Sequence, residues 1–531
     1  MNTKIQEKIS NPNFIQNTFP LNLTDLSENN PYRAMNFING IWKYASNYLE
    51  ILDPLNGDKF ILVPNNLTEE EINEYSDAAK QCPKTGLHNP LKNPERYNLY
   101  GEIFHRASFL LGLPQVEDYF VHLIQRVAPK SEIQARGEVK VTQRFLMNFS
   151  GDQCRFLTRS FNVSGDVQGQ QSSGYRFPYG PVAIIAPFNF PLEIPALQMM
   201  GALLTGNRLT IKGDQRVSVV LEMFLRLLHL AGLPPTDCDL IHCDGPQMES
   251  LLKRTNFRLL QFTGSSGIAE RLCNVMNGKI KIEDAGFDWK ILGPDVIEFD
   301  YVAYQSDQDA YAFSGQKCSA QSILFAHKNW VQAGILDKIK LLAEQRNLKD
   351  LTICPILTWN NQRIQAHLDK LIAIQGAKVL FGGKPISEQH KIPECYGSYL
   401  PTAVYIPLQQ IKDNFELVTT EVFGPFQVVT EYENEDHVIE ILEYIPHNLT
   451  AGVVSNDIRF VQKILANTIN GVTYAGIKAR TTGAPQNHWF GPCGDPRGTG
   501  IGSPEAIIQT WTTHREIIMD IGTTPKTLTQ S

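Results

Sequence analysis

The sequence predicts an α/β protein: a doubly wound parallel sheet followed by a second α/β region. Three observations carry this. Short apolar runs alternate with helical segments from Pro181 to Glu283. A similar alternation resumes between about 293 and 490, and the chain's 531 residues exceed what one compact core organises.

In chain order, residues 1–55 are polar, rich in Asn and weakly periodic, and read as an extended arm wrapping the domain that follows. Helical patterns come next at 67–81 and across 94–128, the first opening on a Thr68/Glu71 pair spaced as a capping box. Five strand-like runs follow at 182–187, 209–213, 238–243, 259–264 and 280–284, separated by helices at 192–205, 216–232, 246–254 and 266–276. Five strands with four helical crossovers make a parallel sheet. In the second region, strands are expected at 321–327, 377–382 and 449–455, and helices at 307–313 and 329–345. A Gly/Pro-rich stretch, 483–504, contains Trp489 and Phe490, which argue for a functional loop rather than disorder. The chain ends in a short strand and a polar tail.

Composition narrows the function. Hydrophobic residues make up 42% and charged residues 19%, an ordinary globular balance. A net charge of −7 without basic clusters disfavours nucleic acid as a partner. No apolar run reaches the length of a membrane span, and the longest, Pro181–Pro187, is broken by proline. The first residues lack a hydrophobic signal core, have no arginine before Arg33 and carry Glu7. A cytoplasmic location is therefore expected, with the mitochondrial matrix as the alternative. The nine cysteines form no C-x-x-C pair and no pair of them sits near histidines at zinc spacing, so no metal is expected.

A doubly wound sheet binds nucleotides beyond the carboxyl ends of its strands. No G-x-G-x-x-G follows the first strand. Gly264-Ser265-Ser266-Gly267 lies at a strand-to-helix junction where backbone amides could meet a phosphate, although such a turn is more often a simple cap. Ser314-Gly315-Gln316-Lys317-Cys318-Ser319-Ala320 sets a cysteine between a helix and a strand, among small neighbours. By composition alone, a buried structural thiol is the favoured reading of Cys318.

Six collinear motifs change that reading: PYGPVAIIAPFNFPL (178–192), the IK of LTIKG (209–213), FTGSS (262–266), IEDAG (282–286), GQKCSA (315–320) and EVFGPF (421–426). From about 140 to 515 the chain resembles the aldehyde dehydrogenase superfamily. KIEDAGFDWKILGPDV (281–296), DQDAYAFSGQKCSAQS (307–322) and ARTTGAPQNHWFGPCGDPRGTGIGSPEA (479–506) are most similar to its plant-type Δ1-pyrroline-5-carboxylate dehydrogenase branch. That branch oxidises glutamate γ-semialdehyde to glutamate.

The resemblance implies an aldehyde dehydrogenase-like fold: a Rossmann-type cofactor domain (1–156 and 178–285), a catalytic domain (286–505) and a small β flap for oligomerisation (157–177 and 506–531). It implies Cys318 as nucleophile, Asn189 with the Cys318 N–H as oxyanion donors, and Glu283 as the base that activates water. For the cofactor, NAD with NADP less favoured, it implies Lys212 and residue 215 at the adenosine ribose and Ser265 at the pyrophosphate. Phe188, Glu421 and Phe423 then surround the nicotinamide end. For a substrate carboxylate it implies Ser319 and the amides of Gly498 and Thr499, whose glycine-flanked sequence suits an anion-binding nest. A homo-oligomer, dimer or higher, is implied as well. No partner for the substrate's ammonium group is identifiable.

The chain departs from the common family pattern at four places. Phe188 stands for the usual tryptophan, and Asp284-Ala285 for Leu-Gly, with Ala285 still leaving room near the nicotinamide. Gln215 stands for a glutamate that repels a 2′-phosphate, with no arginine evident that would favour NADP. Lys317 precedes the nucleophile, either lowering the thiol pKa or facing solvent. Other readings are a dehydrogenase for a different carboxylate-bearing semialdehyde, such as succinate semialdehyde, or a non-catalytic nucleotide-binding member. A coenzyme A-acylating member fits less well, because Glu283 is present.

Overall fold

The computed structural model describes residues 3–284, 286–483, 487–524, 526–528 and 530. The expectation placed on Ala285 lies outside the described residues.

Two seven-stranded sheets dominate the chain. The first contains all five expected strands, Pro181–Ile185, Arg208–Lys212, Cys238–Leu240, Leu259–Thr263 and Ile280–Glu283, paired in parallel. Their spatial order is fifth, fourth, first, second, third, so the winding direction reverses between the first strand and the fourth. A crevice opens at that reversal, beyond the carboxyl ends of the strands.

The N-terminal segment differs from the extended arm expected of it. Asn36–Ile38 and Ile41–Lys43 add two antiparallel strands to the edge of this sheet, while Phe14, Phe19 and Leu21 are buried in its core. Asn36 explains part of the docking: its side-chain oxygen accepts the His242 N–H at 2.7 Å. The polar composition of 1–55 concealed these few anchoring rings. The capping box at Thr68/Glu71 forms in both directions at the start of helix Glu69–Lys80. The pattern at 94–128 divides at Leu113-Pro114 into helices Glu95–Leu111 and Pro114–Val127, because a proline begins a helix far more readily than it continues one. Another helix, Glu132–Asn148, was not anticipated.

The second sheet runs Lys378–Phe381, Thr402–Tyr405, Phe426–Tyr432, Gln321–His327, Asp288–Leu292, Thr450–Val454, Val472–Ala475, parallel except for its first, edge pair. The two sheets present opposite ends to the crevice. Cys318 immediately precedes its strand, and Glu421 and Phe423 precede Phe426–Tyr432, whereas Glu283 ends its own. The expected helix at 329–345 is broken by Gly334, whose φ of +86° ends one piece before the next begins.

A third, three-stranded sheet pairs Thr512–Asp520 with Gln170–Pro178 over nine residues and adds Asn162–Ser164. Residues 504–511, partly assigned above to the flap, instead form a helix whose Trp511 is buried against the helix Glu193–Leu204. Among the described residues, no helix is long and apolar enough to cross a membrane and no metal-binding cluster is found.

Candidate active site

Cys318 sits in a tight turn, where the Ala320 N–H donates to the Lys317 carbonyl at 3.1 Å. The approach to that turn is strained. Phe313 and Ser314 have φ of +56° and +47°, followed by Gly315 at +69°. Two consecutive non-glycine residues in the left-handed region cost free energy, and such strain concentrates at functional sites. Gly315 has no alternative, since a Cβ there would lie 2.0 Å from the Gly424 carbonyl oxygen. Gly286 is similarly required, because a Cβ would stand 2.4 Å from the Cys318 carbonyl oxygen.

A cavity of about 700 Å³ lies between the two sheets. It gathers Phe188, Asn189, Lys212, Ser265, Glu283, Cys318, Glu421 and Phe423 from segments separated by more than two hundred residues. The Glu283 carboxyl, 3% exposed, lines the same cavity as the Cys318 thiol and interacts with it, and its Oε1 has no hydrogen-bond partner among the described residues. Burial, with a smaller contribution from Asp284, pushes the Glu283 carboxyl up to about 7, against the opposing effect of the thiol contact. Burial and the neighbouring Glu283, Asp288 and Glu421 carboxyls push the thiol well above its usual range. The pair is thus an acid and a base in contact, with the base half ionised near neutral pH.

Asn189 faces them. Its side-chain oxygen is buried without a partner among the described residues, and its backbone carbonyl accepts from Lys130 Nζ at 2.7 Å. Lys130, fully buried, pairs with Glu138 at 2.8 Å and packs over the rings of Phe190 and Phe313 at 4.5 and 4.2 Å. This ionic post fixes the loop bearing Asn189, and nothing in the sequence around Lys130 signalled it. The Cys318 N–H makes no hydrogen bond among the described residues and remains a free donor beside the thiol.

The other walls suit a dinucleotide. Ser265 caps the helix Ser266–Val275, yet its hydroxyl makes no capping hydrogen bond, so among the described residues that hydroxyl and the Ser266 and Gly267 amides are open to an anion. Lys212 ends its strand and, among the described residues, donates only to the Gly213 carbonyl, at 3.2 Å. At Glu421, burial first, then Asp288 and Asp284, push the carboxyl up, with the Gly286 backbone opposing them. Phe423, at φ +50°, turns its ring edge toward Phe188 at 5.8 Å.

A model of the aldehyde dehydrogenase family matches residues 42–513. The chain belongs to this family. It is 56% identical over 507 residues to delta-1-pyrroline-5-carboxylate dehydrogenase 12A1, mitochondrial, of Arabidopsis thaliana, covering 94% of this chain and 91% of the relative. It is 57% identical over 502 residues to a probable aldehyde dehydrogenase of Linum usitatissimum, with the same coverage of each chain. Among solved structures it superposes on betaine aldehyde dehydrogenase from Staphylococcus aureus in complex with NAD+, with a TM-score of 0.80 and 18% identity, covering 98% of this chain and 100% of that one.

Four residues of this aldehyde dehydrogenase stand differently from what sequence reasoning expected. Gln215 turns away from the cavity, its amide donating to the Pro64 carbonyl and to Asn65 Oδ1, each at 3.2 Å. The neighbouring Arg216 takes the cleft instead. Its guanidinium pairs with Asp214, donates to the Leu357 carbonyl from the second sheet's side and stacks 4.8 Å over Phe188. An arginine is therefore present where none was evident, though Asp214 balances its charge. Lys317 neither faces solvent nor meets the thiol. Its buried Nζ donates to the carbonyls of Gln308 and Asp309, both at 2.9 Å, closing the last turn of helix Phe299–Tyr311. Burial lowers it to about 8.

Gly498 and Thr499 are likewise committed inward. The Gly498 N–H donates to the Asp495 carbonyl at 2.8 Å and the Thr499 N–H to the Ile282 carbonyl at 3.1 Å. The loop pairs with the strand that carries Glu283, so in this conformation neither amide is free for a carboxylate. Ser319 is 4% exposed and lies off the cofactor cavity. Its carbonyl accepts from Thr481 Oγ1 at 2.7 Å, and its hydroxyl has no partner among the described residues. Asp288, wholly buried below Cys318, was not anticipated: its Oδ1 accepts the Thr450 N–H at 2.6 Å and its Oδ2 is unpartnered among the described residues.

Proposed function

We propose that the chain oxidises L-glutamate γ-semialdehyde, the open form of Δ1-pyrroline-5-carboxylate, to L-glutamate with NAD, as a step of proline breakdown. The observation carrying the chemistry is the Cys318–Glu283 contact opposite Asn189 in one cavity. The identity to the Arabidopsis relative supports the substrate.

An aldehyde releases hydride only after a nucleophile has added to it. Glu283, half ionised near pH 7, takes the thiol proton, and Cys318 Sγ bonds to the aldehyde carbon. The carbonyl oxygen becomes an oxyanion between the Asn189 amide and the Cys318 N–H, donors worth about 10²–10³ in rate each. NAD, when bound, supplies the hydride acceptor. With the hydride gone, the carbon is a thioester on Cys318. Glu283, having passed the thiol proton to solvent, then takes a proton from water as its oxygen attacks; the C–S bond breaks, the acid leaves, and the released thiolate takes that proton back from Glu283.

Lys212 and Ser265 would hold the ribose and pyrophosphate, and Glu421, Phe188 and Phe423 the nicotinamide end. Ser319, with its free hydroxyl, is the remaining anchor for the substrate carboxylate. The three-stranded sheet, with Ile518 and Met519 exposed on its outer strand, would carry contacts between copies in a homo-oligomer. The relative named as mitochondrial supports the matrix alternative over a cytoplasmic location.

Steady-state kinetics with pyrroline-5-carboxylate, succinate semialdehyde, NAD and NADP in parallel test the reading. NADH formation is expected with the first substrate at the highest kcat/KM. No NADH from pyrroline-5-carboxylate refutes the substrate, and full activity after Cys318→Ala refutes the mechanism.

A further inference from the structure

The helix that follows Asn189 begins with a carboxylate the mechanism does not use. Glu193 stands one turn beyond Asn189 and is 7% exposed. Its backbone N–H donates to Glu138 Oε1 at 3.3 Å, next to the 2.8 Å bond from the Leu192 N–H to the same oxygen. Its side chain makes no hydrogen bond or ion pair with any described residue, although the negative charge of Glu283 reaches it from the catalytic end.

Charge counting makes this unusual. Lys130 is the cation of the neighbourhood, and its Nζ is held by Glu138 at 2.8 Å and the Asn189 carbonyl at 2.7 Å between two aromatic faces. Glu138 has its cation and two N–H donors; Glu193 shares the same lysine only at a distance. A carboxylate buried without a counter-ion is expensive, and such a group either stays protonated or awaits a cation. Its raised pKa, caused by burial first and Glu138 next, agrees with that imbalance. Helix Glu193–Leu204 carries no other acidic residue, so the charge is confined to the end nearest the oxyanion loop.

We infer that Glu193 receives the α-ammonium group of the substrate and so selects an amino-acid semialdehyde over one lacking the amine. The inference rests on the glutamate semialdehyde reading above. It also gives the uncompensated carboxylate its cation only when the correct substrate is bound, which is how a buried polar group discriminates against an analogue missing its partner.

The test is Glu193→Gln assayed with NAD against pyrroline-5-carboxylate and against succinate semialdehyde. kcat/KM should fall by about 10- to 100-fold for the amino substrate, the range for a hydrogen bond to a charged group, and change less than about threefold for the other. Equal losses on both, or no loss on the first, overturn the inference while leaving the parent reading intact. A wild type that ignores pyrroline-5-carboxylate removes both. A measurement independent of any variant uses product inhibition of the wild type. L-Glutamate should inhibit at least about tenfold more strongly than glutarate, which lacks only the amine, and equal inhibition overturns the assignment.

Discussion

Replacing Glu283 by glutamine keeps the shape of the site and removes its base. The carboxyl is 3% exposed and pushed up to about 7, by burial first, with Asp284 adding and the Cys318 thiol opposing. A base titrating there is about one-tenth ionised at pH 6 and about nine-tenths at pH 8, so wild-type kcat/KM should rise roughly tenfold across that interval. Glu283→Gln should lose that rise and about 10²–10⁴ in steady-state turnover, and its NADH burst should slow as well, since the same carboxylate takes the thiol proton before it activates water. A burst of about one NADH per site at the wild-type rate would confine Glu283 to hydrolysis and refute its part in thiol activation. The same shift bears on stability. The folded protein keeps a proton that the unfolded chain loses between pH 4.5 and about 7, so the wild type loses stability as pH rises through that window. Holding the ionised carboxylate in the fold costs up to about 3 kcal/mol, present above pH 7 and absent below 4.5. Denaturant unfolding should therefore show Glu283→Gln more stable than wild type at pH 8 and equal to it at pH 4. A pH-independent wild-type rate between 6 and 8, or turnover of the variant within tenfold of wild type, refutes the reasoning.

Asn189→Ala should lower kcat by about 10²–10³ while the KM for NAD stays within twofold in steady-state assays, because the lost donor acts only on the oxyanion. Lys130→Met leaves Glu138 buried without its cation and should cost about 3–5 kcal/mol in urea unfolding, much of it recovered by adding Glu138→Leu. Arg216→Ala should raise the KM for NAD about three- to tenfold with kcat little changed, since it removes a side chain that spans the cofactor cleft and touches no reacting atom.

The parts of this site legible in the sequence are those fixed by strand ends. A strand of the right period, ended by a turn, announces where its next side chain will be, and Asn189, Lys212, Ser265 and Glu283 all sit at such ends. Cys318 needed more, because nothing local separates it from eight other thiols; only the order of the surrounding motifs did. What remained hidden depends on neighbours far along the chain. Gln215 and Arg216 are adjacent, and the choice of which enters the cleft is made by Pro64 and Asn65, about one hundred and fifty residues earlier. Lys317 reads as a surface cation until the helix end that it closes is in view. The N-terminal strands were missed for the same reason: Asn36–Ile38 is too short to show a period and is held by a sheet edge formed two hundred residues later.

The opposition of the two sheets explains why a nucleophile with so high a pKa is tolerable. The first sheet contributes its carboxyl ends, where Glu283 and the helix amides at Ser265 lie. The second contributes its amino ends, where Cys318, Asp288 and Glu421 lie. Three carboxyl groups thus surround the thiol and favour its protonated form, which protects it from oxidation while the site is idle. A thiolate formed there is strongly basic and correspondingly nucleophilic. Its cost is offset only when the charge can pass to an aldehyde oxygen that two donors await. On this geometry, thiolate formation and oxyanion formation are coupled, and the enzyme should react with aldehydes far faster than with a general thiol reagent. Iodoacetamide, which offers no oxygen to the Asn189 amide, should alkylate Cys318 with a rate that rises through pH 8 and beyond. Rapid alkylation that plateaus below pH 7 would show a resident thiolate and would overturn this account.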